Sequence, residues 1–565
     1  MIGAPALRAR VRLAARLLAL FAAVVFSALA IDQGPPVRPE GPGIERDIQY
    51  VFVIVGVLSS MLAWRWSLPG GALLVLTGAV LGVAAAGRYS TDTALGVALM
   101  FVLPGLLFLA VWSWTRGILA QAGSLAFVLI LMAYAGVRAE DRHKLAFGPA
   151  HPSSPLVAKP IDLVEWVWSG GVTSRGAVVK ARLAAVHGNA RLLVSTSEAL
   201  TSPRYVDQTK AATDGVVWFN ISGLDPSTTY HYAVEVDTRV DQGRRGRFQT
   251  FPEGASSFTF AVAACARTGS NGAVFDAIRG ENALLYVVTG DFHYENIVQD
   301  SRSSFARAYN RNLTAPAAAA LYAQTPIAYT WDDHDFGGNN SDASSAAKEA
   351  ARLSYREFVP HYDLPAGEGN NPIYQAFSVG RVRFVMSDTR SMKNAEKTSG
   401  GSDSMLGQAQ LRWLKSELKS ASRTHGLVVW VSSVPWIAPA SGARDDWGGY
   451  ADERREIADF IAENRIDNLL MLAGDAHMVA IDDGTNSDYS TAKKGGFPIL
   501  HAGALDRPGS EKGGPYSEGE FPGAGQYGLV TVQDDGRSMT ITLKGKTWEG
   551  KELVSYTFQP QGPLD

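Results

Sequence analysis

The sequence has little cysteine, no clustered positive charge in its larger part and few lysines or acidic residues in its first quarter. Cys265 is the single cysteine among 565 residues. No intrachain disulfide can therefore form, and stability must come from core burial or bound metal. The formal net charge is −3, and without a basic run this argues against a nucleic-acid-binding surface. No Gly-x-Ser-x-Gly elbow follows an apolar strand, which argues against a serine hydrolase of that type.

Long apolar runs dominate the chain before Arg138. Each of five runs is close to the roughly 20 residues that a helix needs to cross a bilayer, and short loops join them. The runs are Leu13–Ile31, Tyr50–Trp66, Gly70–Ala86, Ala94–Trp114 and Ile118–Val137. We therefore predict a membrane domain over residues 1–137 with about five transmembrane helices.

The orientation of this domain follows from an arginine cluster at the start of the chain. Arg8, Arg10, Arg12 and Arg16 precede or begin the first run, and such clusters stay in the cytoplasm. Five crossings then place the rest of the chain outside the cytoplasmic membrane. Ala28-Leu29-Ala30 resembles a signal-peptidase site, but cleavage there would leave four helices and the same sidedness. The sequence therefore predicts a multi-pass protein of the cytoplasmic (inner) membrane whose larger, C-terminal part is extracytoplasmic.

The chain after Arg138 has the patterns of a linker, a β-sandwich and an α/β domain. Residues 138–160 are rich in Pro, Ser and charge, which is typical of a linker. Residues 161–252 contain short runs of Val, Tyr, Phe and Thr between turns, which predicts a sandwich similar to a fibronectin type III module. Residues 256–560 alternate strands with amphipathic helices. The predicted fold is multi-domain, and its last part is an α/β sandwich of two central sheets flanked by helices.

Ionisable residues follow four of the predicted strands at the point where each strand ends. They are Cys265, Gly290-Asp291-Phe292-His293-Tyr294, Asp332-Asp333-His334-Asp335 and Gly474-Asp475-Ala476-His477. Ligands of open α/β sheets bind beyond the carboxyl ends of the strands, so these clusters should meet in one crevice. A Gly-Asp turn or a lone buried cysteine also has structural uses. Four consecutive ionisable residues after an apolar strand have no packing use, and we predict a polynuclear metal site.

The order of these clusters resembles the PhoD-like alkaline phosphatases and phosphodiesterases, a branch of the calcineurin-like metallophosphoesterases. The resemblance runs from about Ile161 to the end of the chain. It is carried by Ala263-Ala264-Cys265, Gly290-Asp291-Phe292-His293-Tyr294, Trp331-Asp332-Asp333-His334-Asp335, Ser387-Asp388-Thr389-Arg390-Ser391, Leu406-Gly407-Gln408 with Trp413-Leu414, Asp446-Trp447 and Gly474-Asp475-Ala476-His477. It implies that residues 256–560 form a catalytic domain that hydrolyses phosphate esters with metal-activated water.

The resemblance also implies roles for individual residues. Asp291 would bridge two metals, and Tyr294 would bind the first metal as a phenolate. The implied metal ligands are Cys265, Asp291, Tyr294, Asp333, Asp475 and His477. The implied catalytic residues are His334, as proton donor or stabiliser of the phosphoryl group, and Arg390, as a partner of phosphate oxygens. The implied substrate contacts are Asn339, Arg267 and Trp447.

The implied metal centre is dinuclear or polynuclear, with Fe(III) and Ca(II) as the expected ions. A thiolate and a phenolate suit Fe(III). The superfamily commonly has a metal-binding His near Ser432–Trp436, and its lack here favours hard, oxygen-preferring ions at part of the site; other divalent metals also remain open. The expected partners are the membrane and a phosphate ester, either a small molecule, a lipid headgroup or an envelope polymer. The alternative is a non-catalytic membrane receptor or adhesion protein with a phosphatase-like fold.

Overall fold

The computed structural model describes residues 4–32, 44–86, 91–114, 116, 118–147, 160–185, 189–441 and 445–563. The chain divides into two compact units, Met1–Ala146 and Phe147–Asp565. The boundary between them lies inside the segment predicted as a linker. Most of that predicted linker, residues 148–159, lies outside the described part of the chain.

Almost all described residues of the N-terminal unit are helical. Its helices are α1 (Ala4–Asp32), α2 (Ile44–Arg65), α3 (Ser67–Ala86), α4 (Thr91–Ser113) and α5 (Ile118–Phe147). Each predicted apolar run lies on one of these helices. Within the described residues, three stretches are long and apolar enough to cross a membrane: Ser67–Ala86, Ala94–Ser113 and Gln121–Asp141. Crossing by α1 and α2 stays a prediction, and α5 runs ten residues further than the predicted span.

The C-terminal unit begins with strands and then alternates strands with helices. The first strands are β1 (Val164–Gly170), β2 (Gly176–Leu183), β3 (Ala190–Ser195), β4 (Arg204–Asp207), β5 (Lys210–Thr213), β6 (Val216–Ser222), β7 (Thr229–Val236) and β8 (Arg239–Gln249). The alternating part contains β9 (Phe258–Ala263), α6 (Ala273–Gly280), β10 (Leu285–Thr289), α7 (Arg302–Thr314), α8 (Pro316–Gln324), β11 (Ile327–Thr330), α9 (Asp333–Phe336), α10 (Lys348–Phe358), β12 (Gln375–Val379), β13 (Val382–Met386), α11 (Gly407–Ala421), β14 (Leu427–Val431), a 3-10 turn (Trp447–Tyr450), α12 (Ala451–Asn464), β15 (Leu469–Ala473) and β16 (Met478–Asp482). The final strands are β17 (Ile499–Ala502), β18 (Gly519–Pro522), β19 (Gln526–Asp534), β20 (Met539–Thr547) and β21 (Glu552–Phe558).

Two large sheets form the centre of this unit. The first has the order β21-β20-β19-β9-β10-β11-β1-β2-β6-β5, and the second has the order β12-β13-β14-β15-β17-β16-β18. Central strands such as β14 and β15 are buried at every residue, as expected for parallel strands covered on both faces. One apolar cluster fills the space between the sheets, and two further clusters join their outer faces to the helices. The predicted sandwich of two sheets flanked by helices is confirmed.

The predicted β-sandwich module is not separate from the catalytic domain. Its strands β1, β2, β5 and β6 continue the ten-stranded sheet, because β1 pairs in parallel with β11 at Gly170 and Ile327. Its strands β4, β3, β7 and β8 form a second sheet of four. Side chains of both sheets belong to the same apolar cluster that lies between the large sheets. The predicted boundary near residue 252 therefore divides one continuous core, and the likeness to fibronectin type III stays a prediction.

Candidate metal centre

The four strand-end clusters meet at one place in the C-terminal unit. β9, β10 and β11 are parallel neighbours, so their carboxyl ends lie on the same edge, and β15 brings Asp475 from the second sheet. Cys265, Asp291 and Asp475 have φ values of 64°, 52° and 72°. Non-glycine residues rarely adopt this left-handed conformation, and such strain concentrates at functional sites.

Gly290 allows the chains after β10 and β11 to approach closely. Its φ is 110°, and an added Cβ would lie 2.5 Å from the Cβ of Asp332. Any side chain at this position would push Asp291 and Asp332 apart. The glycine before Asp291 is therefore required by the close spacing of the carboxylates.

Cys265, Asp291, Tyr294 and His477 form the first donor group of the site. The Tyr294 hydroxyl lies 2.6 Å from Asp291 Oδ2 and 3.0 Å from His477 Nε2. The Cys265 Sγ lies 3.7 Å from the same Asp291 oxygen. The His477 Nδ1 contacts the Pro508 carbonyl at 2.9 Å, which makes Nε2 the acceptor nitrogen and directs it to the Tyr294 hydroxyl. The predicted ligands of the first metal thus lie together.

Four carboxylates form the second donor group. One oxygen from each of Asp291, Asp332, Asp333 and Asp475 lies within 4.8 Å of the others. Asp291 belongs to both groups, as a bridging ligand must. Among the described residues, Asp291 Oδ1 and Asp332 Oδ2 are buried oxygens without a hydrogen-bond partner. Buried carboxylate oxygens are costly unless they are paired or bind a metal, so these donors fit a cluster of cations.

Burial makes the anionic forms of the first donor group unfavourable without a cation. Desolvation raises the pKa of Asp291 well above its usual range, and the neighbouring carboxylates add to the shift. Burial also raises the pKa of the Cys265 thiol and of the Tyr294 phenol, and Asp291 contributes to both shifts. A bound metal cation reverses this balance by favouring the deprotonated ligand.

His334 lies beside the carboxylates with one ring nitrogen held. Its Nδ1 lies 2.6 Å from Asn296 Oδ1, and its ring is 4.1 Å from the Tyr294 ring between centroids. Burial lowers the pKa of His334 to about 4, although Asp333 opposes the shift. A nitrogen of His334 also falls within 4.8 Å of oxygens of Asp291 and Asp333. The ring can therefore serve as a proton donor or as a ligand.

Arg390, which is predicted as a phosphate contact, lies in the interior of the protein. Its side chain is fully buried, with Nε 2.6 Å from Asp332 Oδ1 and Nη1 3.4 Å from Asp445 Oδ1. Ser433 donates to the same Asp332 oxygen at 2.7 Å. The guanidinium thus pairs with carboxylates inside the protein, and its role as a phosphate contact stays a prediction.

The three predicted substrate contacts differ in their exposure to solvent. Trp447 has no exposed surface, packs against Trp430 and Trp436, and donates its indole N–H to Ser432. This packing in the core argues against a substrate contact. Asn339 is exposed on the loop after α9. Arg267 is half-buried after β9, and both residues stay predictions as substrate contacts.

The structure adds Asp332, Asp445 and Lys512 to the site. Asp332 is the first acid of its strand-end cluster, and its carboxylate lies among the metal-site oxygens. Lys512 Nζ lies 2.8 Å and 3.0 Å from the two oxygens of Asp475 and 3.0 Å from Asp445 Oδ2. Asp445 and Lys512 lie in loops outside the strand-end clusters. No hydrophobic periodicity in the sequence distinguishes them from other charged loop residues.

Two family models match the sequence. PhoD-like phosphatase matches residues 260–513, and a domain of unknown function, DUF7670, matches residues 6–124. Alkaline phosphatase D of Bacillus subtilis (strain 168) is 24% identical over 309 residues, which cover 45% of this chain and 52% of that protein. The chain thus spans about half the length of this curated relative.

Two solved structures share the fold. A PhoD structure aligns with a TM-score of 0.58 and 19% identity over 73% of this chain and 92% of the other. The purple acid phosphatase PPD1 from yellow lupin (Lupinus luteus) seeds aligns with a TM-score of 0.51 and 14% identity over 70% and 73%. These comparisons show that residues 260–513 are similar to the PhoD-like phosphatase domain and that the C-terminal unit shares the fold of the two solved structures.

Proposed function

We propose that this chain is a membrane-anchored, metal-dependent phosphoesterase whose C-terminal unit acts outside the cytoplasmic membrane. The main support is the convergence on Asp291 of a thiol, a phenol and three further carboxylates. A non-catalytic receptor with a phosphatase-like fold would have no need to retain these groups. The proposed substrates are phosphate esters of small molecules, lipid headgroups or envelope polymers.

The proposed metals are Fe(III) at the first donor group and Ca(II) at the carboxylates. Thiolate and phenolate ligands favour a trivalent ion, whereas an all-oxygen group suits a hard divalent ion. When bound, the metal centre activates a water molecule and stabilises the phosphoryl oxygens. Asp291 would bind both metals. The contact with Asn296 would keep the His334 ring in a fixed orientation for proton transfer.

His334 is the proposed donor of a proton to the leaving-group oxygen. Because Nδ1 is engaged with Asn296 at 2.6 Å, Nε2 is the nitrogen left to exchange a proton. A bound phosphate would favour the imidazolium, since a nearby negative charge raises the pKa of histidine. If His334 is instead a metal ligand, its replacement should lower the metal content of the protein.

The extracytoplasmic location is supported by the arginine cluster before the first apolar run and by three helices able to span a bilayer. A β-lactamase fused after Asp565 should protect the host bacteria from ampicillin, because β-lactamase protects cells only when it lies outside the cytoplasmic membrane. A fusion after Ala86 or Ser113 gives a matched comparison of successive loops. A sensitive strain that makes the full-length fusion would overturn this topology.

The activity can be tested with the full-length chain in detergent. The protein is loaded with Fe(III) and Ca(II), or with other divalent metals, and assayed on matched aryl phosphate monoesters and diesters. We expect hydrolysis that is lost after chelation and restored by metal. An Asp475→Asn variant controls for contaminating phosphatase. Metal-loaded protein that folds but cleaves none of the esters would contradict the proposed function.

A further inference from the structure

The segment Asp506–Gly514, called the cation strap below, brings two positive side chains to the metal centre. Contacts with His477 hold it in place: Pro508 binds the His477 ring at 2.9 Å, and the Ser510 N–H donates to the His477 carbonyl at 3.0 Å. The Arg507 guanidinium lies 4.1 Å from the centre of the Tyr294 ring. The strap is therefore attached to two residues of the first donor group.

Lys512 reaches from the strap to the second donor group. Its Nζ contacts both oxygens of Asp475 and one oxygen of Asp445, at 2.8 to 3.0 Å. These ion pairs outweigh the burial of the ammonium group and raise the pKa of Lys512.

Asp445 lies close to three cationic side chains. Arg390 Nη1 lies 3.4 Å from its carboxylate, Lys393 Nζ 3.9 Å and Lys512 Nζ 3.0 Å. Arg390 and Lys393 are almost completely buried, whereas 37% of the Lys512 side chain is exposed. Of these three cations, Lys512 is the one that solvent and solutes can reach.

A metal bound to Asp475 would change the surroundings of Lys512. The metal would neutralise the carboxylate that Lys512 now contacts, and its own charge would repel the ammonium group. Lys512 would then keep Asp445 as its anionic partner, and Arg390 and Lys393 also contact this carboxylate. An anion that touches both the metals and Lys512 would restore the balance, and a phosphate oxygen has the charge and hydrogen-bonding capacity for this role.

We propose that Lys512 binds a non-bridging oxygen of the substrate or product phosphate. This is the role that the sequence predicts for Arg390. This inference rests on the proposed function, because it places the phosphoryl group at the same carboxylates. It assigns phosphate binding to a strap outside the strand-end clusters. Lys512 is the side chain that couples the bound anion to Asp475 and Asp445.

The test measures the binding of inorganic phosphate to the full-length, metal-loaded protein by isothermal titration calorimetry. Lys512→Met should weaken binding by about 10- to 100-fold, the worth of one charge-assisted hydrogen bond. Lys512→Arg, which keeps the charge, should bind within a few-fold of the parent. Lys493→Met is the matched control, since Lys493 is exposed and donates to the Asp488 carbonyl. Metal content is measured for every variant by elemental analysis.

The outcomes separate this inference from the proposed function. Weaker phosphate binding with unchanged metal content supports the role of Lys512, even if the parent protein cleaves no ester and the proposed function fails. Unchanged phosphate affinity in Lys512→Met overturns the inference, and so does loss of metal in proportion to loss of phosphate. If Lys512→Met does not fold, Lys512→Gln is measured by the same criteria.

Discussion

The Nε of Arg390 lies 2.6 Å from Oδ1 of Asp332, and neither side chain has any exposed surface. This buried pair joins the loop after β13 to the loop after β11 and thereby connects the two large sheets at the metal centre. Ser433, at the end of β14, donates to the same oxygen. The sheets are thus held together by charge and hydrogen bonds at the edge where the carboxylates gather.

Arg390→Met should destabilise the protein more than it weakens substrate binding. Removing one partner of a buried ion pair leaves an uncompensated charge, which costs about 3–5 kcal/mol. We expect a lower free energy of unfolding in urea and reduced metal content. Arg383→Met is the control, because its pair with Glu417 is partly exposed and should be worth at most about 1 kcal/mol. A fully stable Arg390→Met enzyme with only a raised KM would instead restore the phosphate contact predicted from the sequence.

His334→Ala and Asp333→Ala should have opposite effects on turnover and metal content. Loss of the proton donor should lower kcat by about 10²- to 10⁴-fold while metal content stays near that of the parent. Asp333→Ala should lose metal, because Asp333 is a proposed direct ligand. Elemental analysis after desalting and kcat on an aryl phosphate give both readouts. An empty His334→Ala protein beside a metal-filled Asp333→Ala protein would reverse the two assignments.

Much of the catalytic unit could be predicted because its local signals agree with its tertiary structure. The parallel strands β9, β10, β11 and β15 are continuous apolar runs, as expected for the segments before the four polar clusters. The polar clusters follow these strands directly. Carboxyl ends of parallel strands meet at one edge, which is why the sequence predicts that these side chains lie close together.

The remaining features depend on contacts between distant parts of the chain. Strand β1 pairs with β11 across more than 150 residues, and no local pattern shows that the sandwich shares its sheet with the catalytic part. Trp447 follows Asp446 in a motif of the family, which suggested a substrate contact. Its side chain instead packs against Trp430 and Trp436, which lie far from it in the sequence or outside the motif. Lys512 lies in a loop, where charge alone does not identify its partners.

His501 should make the unfolding free energy depend on pH. Its side chain is fully buried, Nε2 contacts the Ala476 carbonyl at 3.0 Å, and burial lowers its pKa to about 4. Between pH 4 and about 6.5, the ordinary value for histidine, the unfolded chain binds the proton that the folded protein does not. Stability from this residue is therefore complete above pH 6.5 and is lost on acidification, by about 3 kcal/mol at pH 4.

The measurement compares His501→Gln with the parent in urea between pH 7.5 and 4.5, with chelator present so that metal loss contributes equally. The variant should show a shallower loss of stability on acidification. His231→Gln, a change in a half-exposed ring on β7, is the control. Parallel pH profiles for the parent and His501→Gln would show that the buried imidazole is not the group that titrates.

The last prediction concerns the metal at the first donor group. Tyr294 and Cys265 both lie against Asp291 Oδ2, at 2.6 Å and 3.7 Å, and a trivalent ion would hold both as anions despite their burial. Phenolate or thiolate bound to Fe(III) absorbs visible light by charge transfer, so protein purified without chelator should be coloured. Tyr294→Phe and Cys265→Ser should each shift or bleach the band. Tyr527→Phe is a matched control, because its hydroxyl contacts Glu281, which belongs to neither donor group.

The spectra also separate the metal assignment from the phosphoesterase assignment. If only Tyr294→Phe bleaches the band, the phenolate is the absorbing ligand and Cys265 is a neighbour of the metal rather than its ligand. If both variants remain coloured, neither residue binds the iron. An active, colourless enzyme that contains no iron by elemental analysis would remove Fe(III) from the proposal. The carboxylates around Asp291 would then have to hold divalent ions at both positions, and Tyr294 would act as a hydrogen-bond donor to Asp291.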